Sequence, residues 1–104
     1  MSFLFHELLV GHIYLVNVGE QAEAAAFSIA EILRSNGLSV VLHSGGGSFK
    51  SQMKKADRSG ARFAAILGDD EATKGEISLK PMLVAGEQLR CKVSEAAGKV
   101  GEMR

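Results

Sequence analysis

Hydrophobic residues along this chain fall into two alternating rhythms. His12 to Val18 (HIYLVNV) is β-branched and aromatic and reads as a buried strand ended by Gly19. From Glu20 to Asn36 the spacing becomes helical. Ala22, Ala25, Ala26, Ile29, Ile32 and Leu33 gather on one side, with Glu23, Glu31 and Arg34 on the other, and Asn36-Gly37 is a C-terminal stop. Leu38 to His43 reads as a second strand. After three glycines, a short helix is predicted from about Ser48, its N-cap, to Ser59. Phe49, Met53, Ala56 and Gly60 form its expected inward stripe, and Lys50, Lys54, Lys55 and Arg58 its outer side. Arg62 to Leu67 is a third strand, followed by an acidic turn, Gly68-Asp69-Asp70-Glu71. Glu76 to Lys80 alternates as a strand with one wet face does. Pro81 and Gly86 bound a loop, Gln88 to Val93 reads as an edge strand, and Ser94 to Met103 as a terminal helix diluted by Gly98 and Gly101.

This order places the first three strands in parallel through right-handed crossovers, with later strands added antiparallel at one edge. The expected fold is a three-layer α/β domain with a mixed sheet. Residues 1–10 stand outside the pattern and read as a leader or upstream connection; residues 11–104 form the domain. In open α/β sheets ligands gather beyond the carboxyl ends of the strands. Val18-Gly19, His43 to Gly47 and Gly68 to Glu71 all fall at that edge.

Charge sharpens the picture. The net charge is zero over 104 residues, which argues against unaided binding to long nucleic acid. Residues 43–62, however, carry Lys50, Lys54, Lys55, Arg58 and Arg62 against Asp57 alone, so the positive charge follows the glycines. Cys91 is the single cysteine, which excludes an internal disulfide and fits a reducing, cytoplasmic setting. The apolar start lacks a basic leader region, is interrupted by Glu7, and is too short and polar to span a bilayer.

The stretch Leu42 to Asp57 (LHSGGGSFKSQMKKAD) poses the functional question. A nucleotide-binding P-loop needs G-x-x-x-x-G-K-[ST]; aligned on Lys50-Ser51, Ser44 and Phe49 stand where both glycines must be. A G-x-G-x-x-G fingerprint fails because Lys50 holds the last glycine's place. Two readings stay open. The glycines can serve only a sharp strand-to-helix turn, although three exceed what a turn needs. Or they form a recognition edge, with bare main-chain N–H groups beside a helix N-terminus and lysines spaced to follow phosphates.

At this point the sequence resembles a known family. GGGSFKSQMKKADRSGARFAAILGDDE (Gly45 to Glu71) is similar to the C-terminal anticodon-binding domain of histidyl-tRNA synthetase, a class II aminoacyl-tRNA synthetase. IYLVNVGEQAEAAAFSIAEILRSNGLSVVL and GEISLKPMLVAGEQ resemble its flanking units, so the likeness covers roughly residues 12–97. The resemblance implies a five-stranded mixed sheet with about three helices, and binding of the anticodon stem-loop of histidine tRNA. Unpaired loop bases can be read on their edges while phosphate contacts set the register. By the same resemblance, Ser44, Gly45, Gly46, Gly47, Ser48 and Lys50 face the anticodon, Glu71 and Lys80 lie at that edge, and Asn17, Gln52 and Lys54 are neighbouring RNA-binding candidates.

Its partners would be the tRNA and the synthetase's catalytic domain, with a homodimer in the full enzyme and no membrane association. The catalytic motifs of such a ligase are not in this sequence, so the chain alone would not charge tRNA. It has no catalytic residues of its own, and ATP and Mg²⁺ would belong to the missing domain. The alternative is a stand-alone regulatory or protein-interaction domain on the same fold.

Other chemistry-bearing residues have simpler readings. His6, His12, His43 and Cys91 lack zinc-site spacing, so no metal site is expected. His43 is either a hydrogen-bonded turn residue or a base-stacking one. Cys91 reads as a half-buried strand residue, and Asp69 and Asp70 as a solvated, helix-capping turn. Tyr14, Phe27, Phe49 and Phe63 are expected in the core.

Overall fold

The computed structural model describes residues 12–103. The segment read as a leader, residues 1–10, lies outside them. Strand β1 (His12–Val18) is followed by helix α1 (Glu20–Ser35), β2 (Ser39–Leu42), α2 (Phe49–Arg58), β3 (Phe63–Gly68), α3 (Asp69–Lys74), β4 (Glu76–Pro81) and β5 (Leu89–Lys92). A 3₁₀ turn (Val93–Glu95) then leads into α4 (Ala96–Met103). The sheet has five strands in the order β2-β1-β3-β4-β5. β1 runs parallel to β2 and β3, while β3–β4 and β4–β5 are antiparallel, so the sheet is mixed as expected.

β1 lies inside the sheet, between β2 and β3, and is apolar on both faces. Ile13 and Leu15 enter the larger core with Leu33, Phe63, Leu67, Ile77, Leu79 and Val100. Tyr14 and Val16 enter a smaller one under α2 with Ala56, Ala61 and Ala64. The three layers follow from this alternation. On β4, Ile77 and Leu79 point into the larger core, and Ser78 and Lys80 lie on the α2 side, opposite Ile66 and Ala64.

Among the described residues there are four α-helices, one more than expected, because the acidic turn is the start of α3. Six residues are too few for a helical period to show in the sequence. The helix is set by local polar contacts: the Glu71 carboxylate accepts from the Gly68 N–H at 3.0 Å, and Gly75 ends it at φ 70°. Asp69, the residue after Gly68, acts elsewhere. Its Oδ1 accepts from the N–H groups of Gln21 (2.9 Å) and Ala22 (3.1 Å), capping α1 from across the fold. Gly19 leaves no side chain in the way: a Cβ there would stand 2.2 Å from that carboxylate, at φ 116°.

Two of the expected core aromatics are not in the core. Phe27 is 65% exposed, because α1 rests on the sheet through Ala22, Ala26 and Ala30, and Phe27 is turned about 100° from Ala26. Ile32, on the other flank of the same helix, is also exposed. Phe49 is 46% exposed because α2 is rolled about its axis, with Gln52 and Ala56 as its buried residues. Tyr14 and Phe63 are buried as expected.

Candidate functional site

The carboxyl edge of the sheet is shaped where β2 leaves it. The ladder between β1 and β2 ends at Leu15 and Leu42, with a last bond from the His43 N–H to the Leu15 carbonyl at 3.0 Å. A continued parallel ladder would next engage the main chain of Asn17. Instead the side chain of Gln52 takes that place. Its Oε1 accepts from the Asn17 N–H and its Nε2 donates to the Asn17 carbonyl, each at 2.9 Å. The same Nε2 donates to the Gly47 carbonyl at 3.0 Å, and the Asn17 amide donates to the His43 carbonyl at 3.2 Å.

His43 is buried, a hydrogen-bonded turn residue. Its Nε2–H donates to the Gly46 carbonyl, which leaves Nδ1 to accept from the Tyr14 hydroxyl at 2.8 Å. Burial pushes the Tyr14 phenol up, keeping it the donor in that bond.

These contacts explain why three glycines are needed. Gly45, Gly46 and Gly47 have φ of 96°, 67° and 101°, a run that would strain residues with a side chain. The carbonyls of Gly46 and Gly47 turn inward to His43 and Gln52. In a trans peptide the following N–H points the opposite way, so those of Gly47 and Ser48 face outward. They lie beside the first turn of α2, where the Ser48 hydroxyl accepts from the Ser51 N–H at 3.1 Å as the expected N-cap.

Beside this loop lies a groove of about 490 Å³, lined by Phe49, Lys50, Met53, Lys54 and Asp57 of α2, Lys80 of β4, and Gln88 of the β4–β5 loop. Phe49 and Met53 supply apolar surface and three lysines the charge. Among the described residues, none of Lys50, Lys54 and Lys80 lies within ion-pair distance of a carboxylate. Their charge is free for an anionic ligand.

The candidate residues therefore sort into three groups. Ser44, Gly45, Gly46, Gly47 and Ser48 are exposed on the loop, and Lys50, Lys54 and Lys80 line the groove; Lys80 is not at the carboxyl edge as expected, because antiparallel β4 carries it back to pair with Ala64 near the start of β3. Asn17 and Gln52 are interior; Gln52 is 0% exposed, and its bonds are all within the protein. Glu71 is half-buried and engaged, with Oε2 accepting from the Ser78 hydroxyl at 2.9 Å.

Phe49, Met53, Asp57 and Gln88 were not anticipated as groove residues. Hydrophobicity alone sends Phe49 and Met53 inward; Phe49 is instead exposed, and Met53 packs against the smaller core while also lining the groove. Among the described residues, no group of three or more His, Cys, Asp or Glu side chains is placed to hold a metal ion.

The fold and groove together define a small α/β domain with a lysine-lined groove along α2. A family model described as an anticodon binding domain matches residues 12–103, and the chain belongs to that family. It is 63% identical over 84 residues to a histidine–tRNA ligase of Methylobacillus flagellatus, an alignment covering 81% of this chain and 20% of the relative. Two solved histidyl-tRNA synthetases superpose well. That of S. aureus has a TM-score of 0.73 at 30% identity, covering 86% of this chain and 26% of that one. That of Nostoc has a TM-score of 0.79 at 26% identity, covering 90% and 22%. The chain thus spans about a fifth of the length of the curated relatives it matches. The resemblance to the synthetase domain and the expected fold both hold.

Proposed function

We propose that this chain is the tRNA-reading part of a histidine–tRNA ligase, gripping the anticodon stem-loop of histidine tRNA and orienting it toward a catalytic domain that this sequence does not contain. The observation that carries the reading is the convergence of Lys50, Lys54 and Lys80 on one groove beside the outward-facing main chain of the glycine loop. Lysines contact phosphates, and the apolar surface of Phe49 and Met53 receives the flat face of an unpaired base. ATP and Mg²⁺ belong to the catalytic domain, which is the second partner; a homodimer of the whole enzyme and a cytoplasmic location complete the reading. Among the described residues, no helix is long and apolar enough to cross a membrane.

The test is a titration of the 104-residue chain with the histidine-tRNA anticodon stem-loop and with the same stem carrying a scrambled loop. Tighter binding of the first, weakening with salt at a log–log slope of about −2 for three phosphate contacts, is expected. Equal binding of both RNAs, or affinity indifferent to salt, would refute it. A regulatory or protein-interaction role would then be the better account.

A further inference from the structure

We propose that Gln52 is a positioning residue for RNA recognition: a buried side chain that does not reach the ligand but fixes the surface that does. The inference rests on the RNA-binding reading above and extends it to the interior.

Gln52 is a polar side chain with no exposed surface, at a helix position where an apolar residue would pack without any hydrogen-bond requirement. Its carboxamide makes three bonds, to the N–H and carbonyl of Asn17 and to the carbonyl of Gly47. Each bond constrains a different part of the recognition edge. The pair with Asn17 replaces the ladder that β2 abandons, so the end of β1 stays ordered while the loop departs. The bond to Gly47 turns that carbonyl inward and so turns the Ser48 N–H outward. Holding Gln52 inside also sets the roll of α2, which carries Phe49, Lys50, Met53 and Lys54 to the groove. A leucine in its place would satisfy packing and keep position 52 inside, but would leave the main chain of Asn17 and the Gly47 carbonyl without their partner.

The experiment compares stem-loop affinity and thermal unfolding for the wild-type chain, Gln52→Leu and Gln52→Glu. Gln52→Leu, assayed at a temperature where circular dichroism shows it folded, is expected to bind the cognate stem-loop at least about fivefold more weakly, the scale of one lost hydrogen bond. Gln52→Glu, assayed where circular dichroism shows it folded at every pH used, adds a readout that a shifted folding equilibrium does not move. When ionised, the introduced carboxylate can only accept, and it faces two carbonyls. When protonated it can donate to one of them, as the amide does. Its affinity relative to wild type should therefore recover as pH falls from about 8 to about 5.5, the range in which a buried carboxyl titrates.

A folded Gln52→Leu with wild-type affinity would overturn the inference, and so would a Gln52→Glu ratio that ignores pH. If Gln52→Leu does not fold, the Gln52→Glu pH ratio decides alone. A wild-type chain that fails to prefer the cognate loop overturns the functional reading, and this inference with it. Wild-type preference with unaffected variants overturns this inference only.

Discussion

The side-chain amide of Gln52 pairs with both main-chain groups of Asn17, accepting from its N–H and donating to its carbonyl at 2.9 Å each. One side chain thus does what the next residues of a strand would do. The exchange lets β2 leave the sheet early and free its continuation as a loop, without stranding buried polar groups on β1. In the Gln52→Leu variant, the Asn17 N–H and carbonyl and the Gly47 carbonyl lose their partner while remaining covered. The expected loss is about 2–4 kcal/mol of unfolding free energy, seen as a lower urea midpoint with an unchanged m-value. A variant within about 0.5 kcal/mol of wild type would show that water or a rearranged main chain takes over these bonds.

The groove lysines should behave in the opposite way. Lys50→Ala, Lys54→Ala and Lys80→Ala remove charges that hold no ion pair among the described residues, so stability should stay within about 0.5 kcal/mol of wild type. Each should weaken stem-loop binding and make the salt slope shallower by about 0.7. Slopes from fluorescence anisotropy at several salt concentrations check this. Lys74→Ala is the control, since Lys74 pairs with Asp70 at 3.5 Å and does not line the groove. A Lys74 effect as large as those at the groove would show that the contact surface lies elsewhere.

What the sequence made legible was whatever a single segment encodes. The apolar run of β1, the alanine-rich face of α1, the Ser48 cap and the basic segment after the glycines are local signals, and all five strands follow from such signals. The roll of α2 is not local. In it Gln52 is buried and meets Asn17, 35 residues away, and no periodicity reveals that a glutamine rather than a phenylalanine is on the inside. The capping of α1 by Asp69 is hidden for the same reason, since cap and helix end are 48 residues apart at Gln21. Family likeness put Lys80 at the carboxyl edge with Glu71, but the antiparallel register sets it opposite Ala64 near the start of β3, and its meeting with α2 at one groove needed the sheet order to be known.

The Asp69 cap makes a specific claim about α1. Gly19 precedes the helix and offers no side-chain cap, so Asp69 supplies the only side-chain oxygen that these first-turn N–H groups meet among the described residues. Asp69→Ala should cost about 1–2 kcal/mol, the upper range for a lost N-cap. Gly19→Ala should also destabilise the domain, because it adds a left-handed φ to a clash with that carboxylate. Combined, the two changes should cost less than their sum, since removing Asp69 also removes the clash. Thermal melts of the two single variants and the double variant measure the coupling, and strict additivity would contradict the contact.

Asp70 ties α3 to β5 through Arg90 at 2.7 Å, and Arg90 also holds Glu76 of β4 at 2.6 Å. The hydrogen bond from Arg90, helped by the charge of Lys74, holds the Asp70 carboxyl below its usual range. A carboxylate lowered on folding contributes stability above its unfolded pKa of about 3.9 and loses it as pH falls through the folded value. The stability gap between wild type and Asp70→Asn should therefore be full at neutral pH and shrink as the solution is acidified below about pH 4. Both partners are largely exposed, so the gap should be small and should narrow further in high salt. A gap that widens on acidification would contradict the assignment.

Cys91 offers a direct probe of how the last helix docks. It is the single thiol, it is buried, and it packs in the larger core with Val93, Ala96 and Val100. Burial first, and the Glu95 carboxylate second, push the thiol up, with Lys99 opposing. Only the thiolate attacks an alkylating agent, so native Cys91 should react with iodoacetamide at about pH 8 at least about tenfold more slowly than in denaturant. The difference should shrink at higher pH as the native thiol also ionises. Val100→Ala, which loosens α4 in the larger core that it shares with Cys91, should raise the native rate while leaving the denatured rate unchanged. Mass spectrometry after timed quenching follows the single adduct. Equal rates in the native and unfolded chain would mean that the core around Cys91 is open in solution.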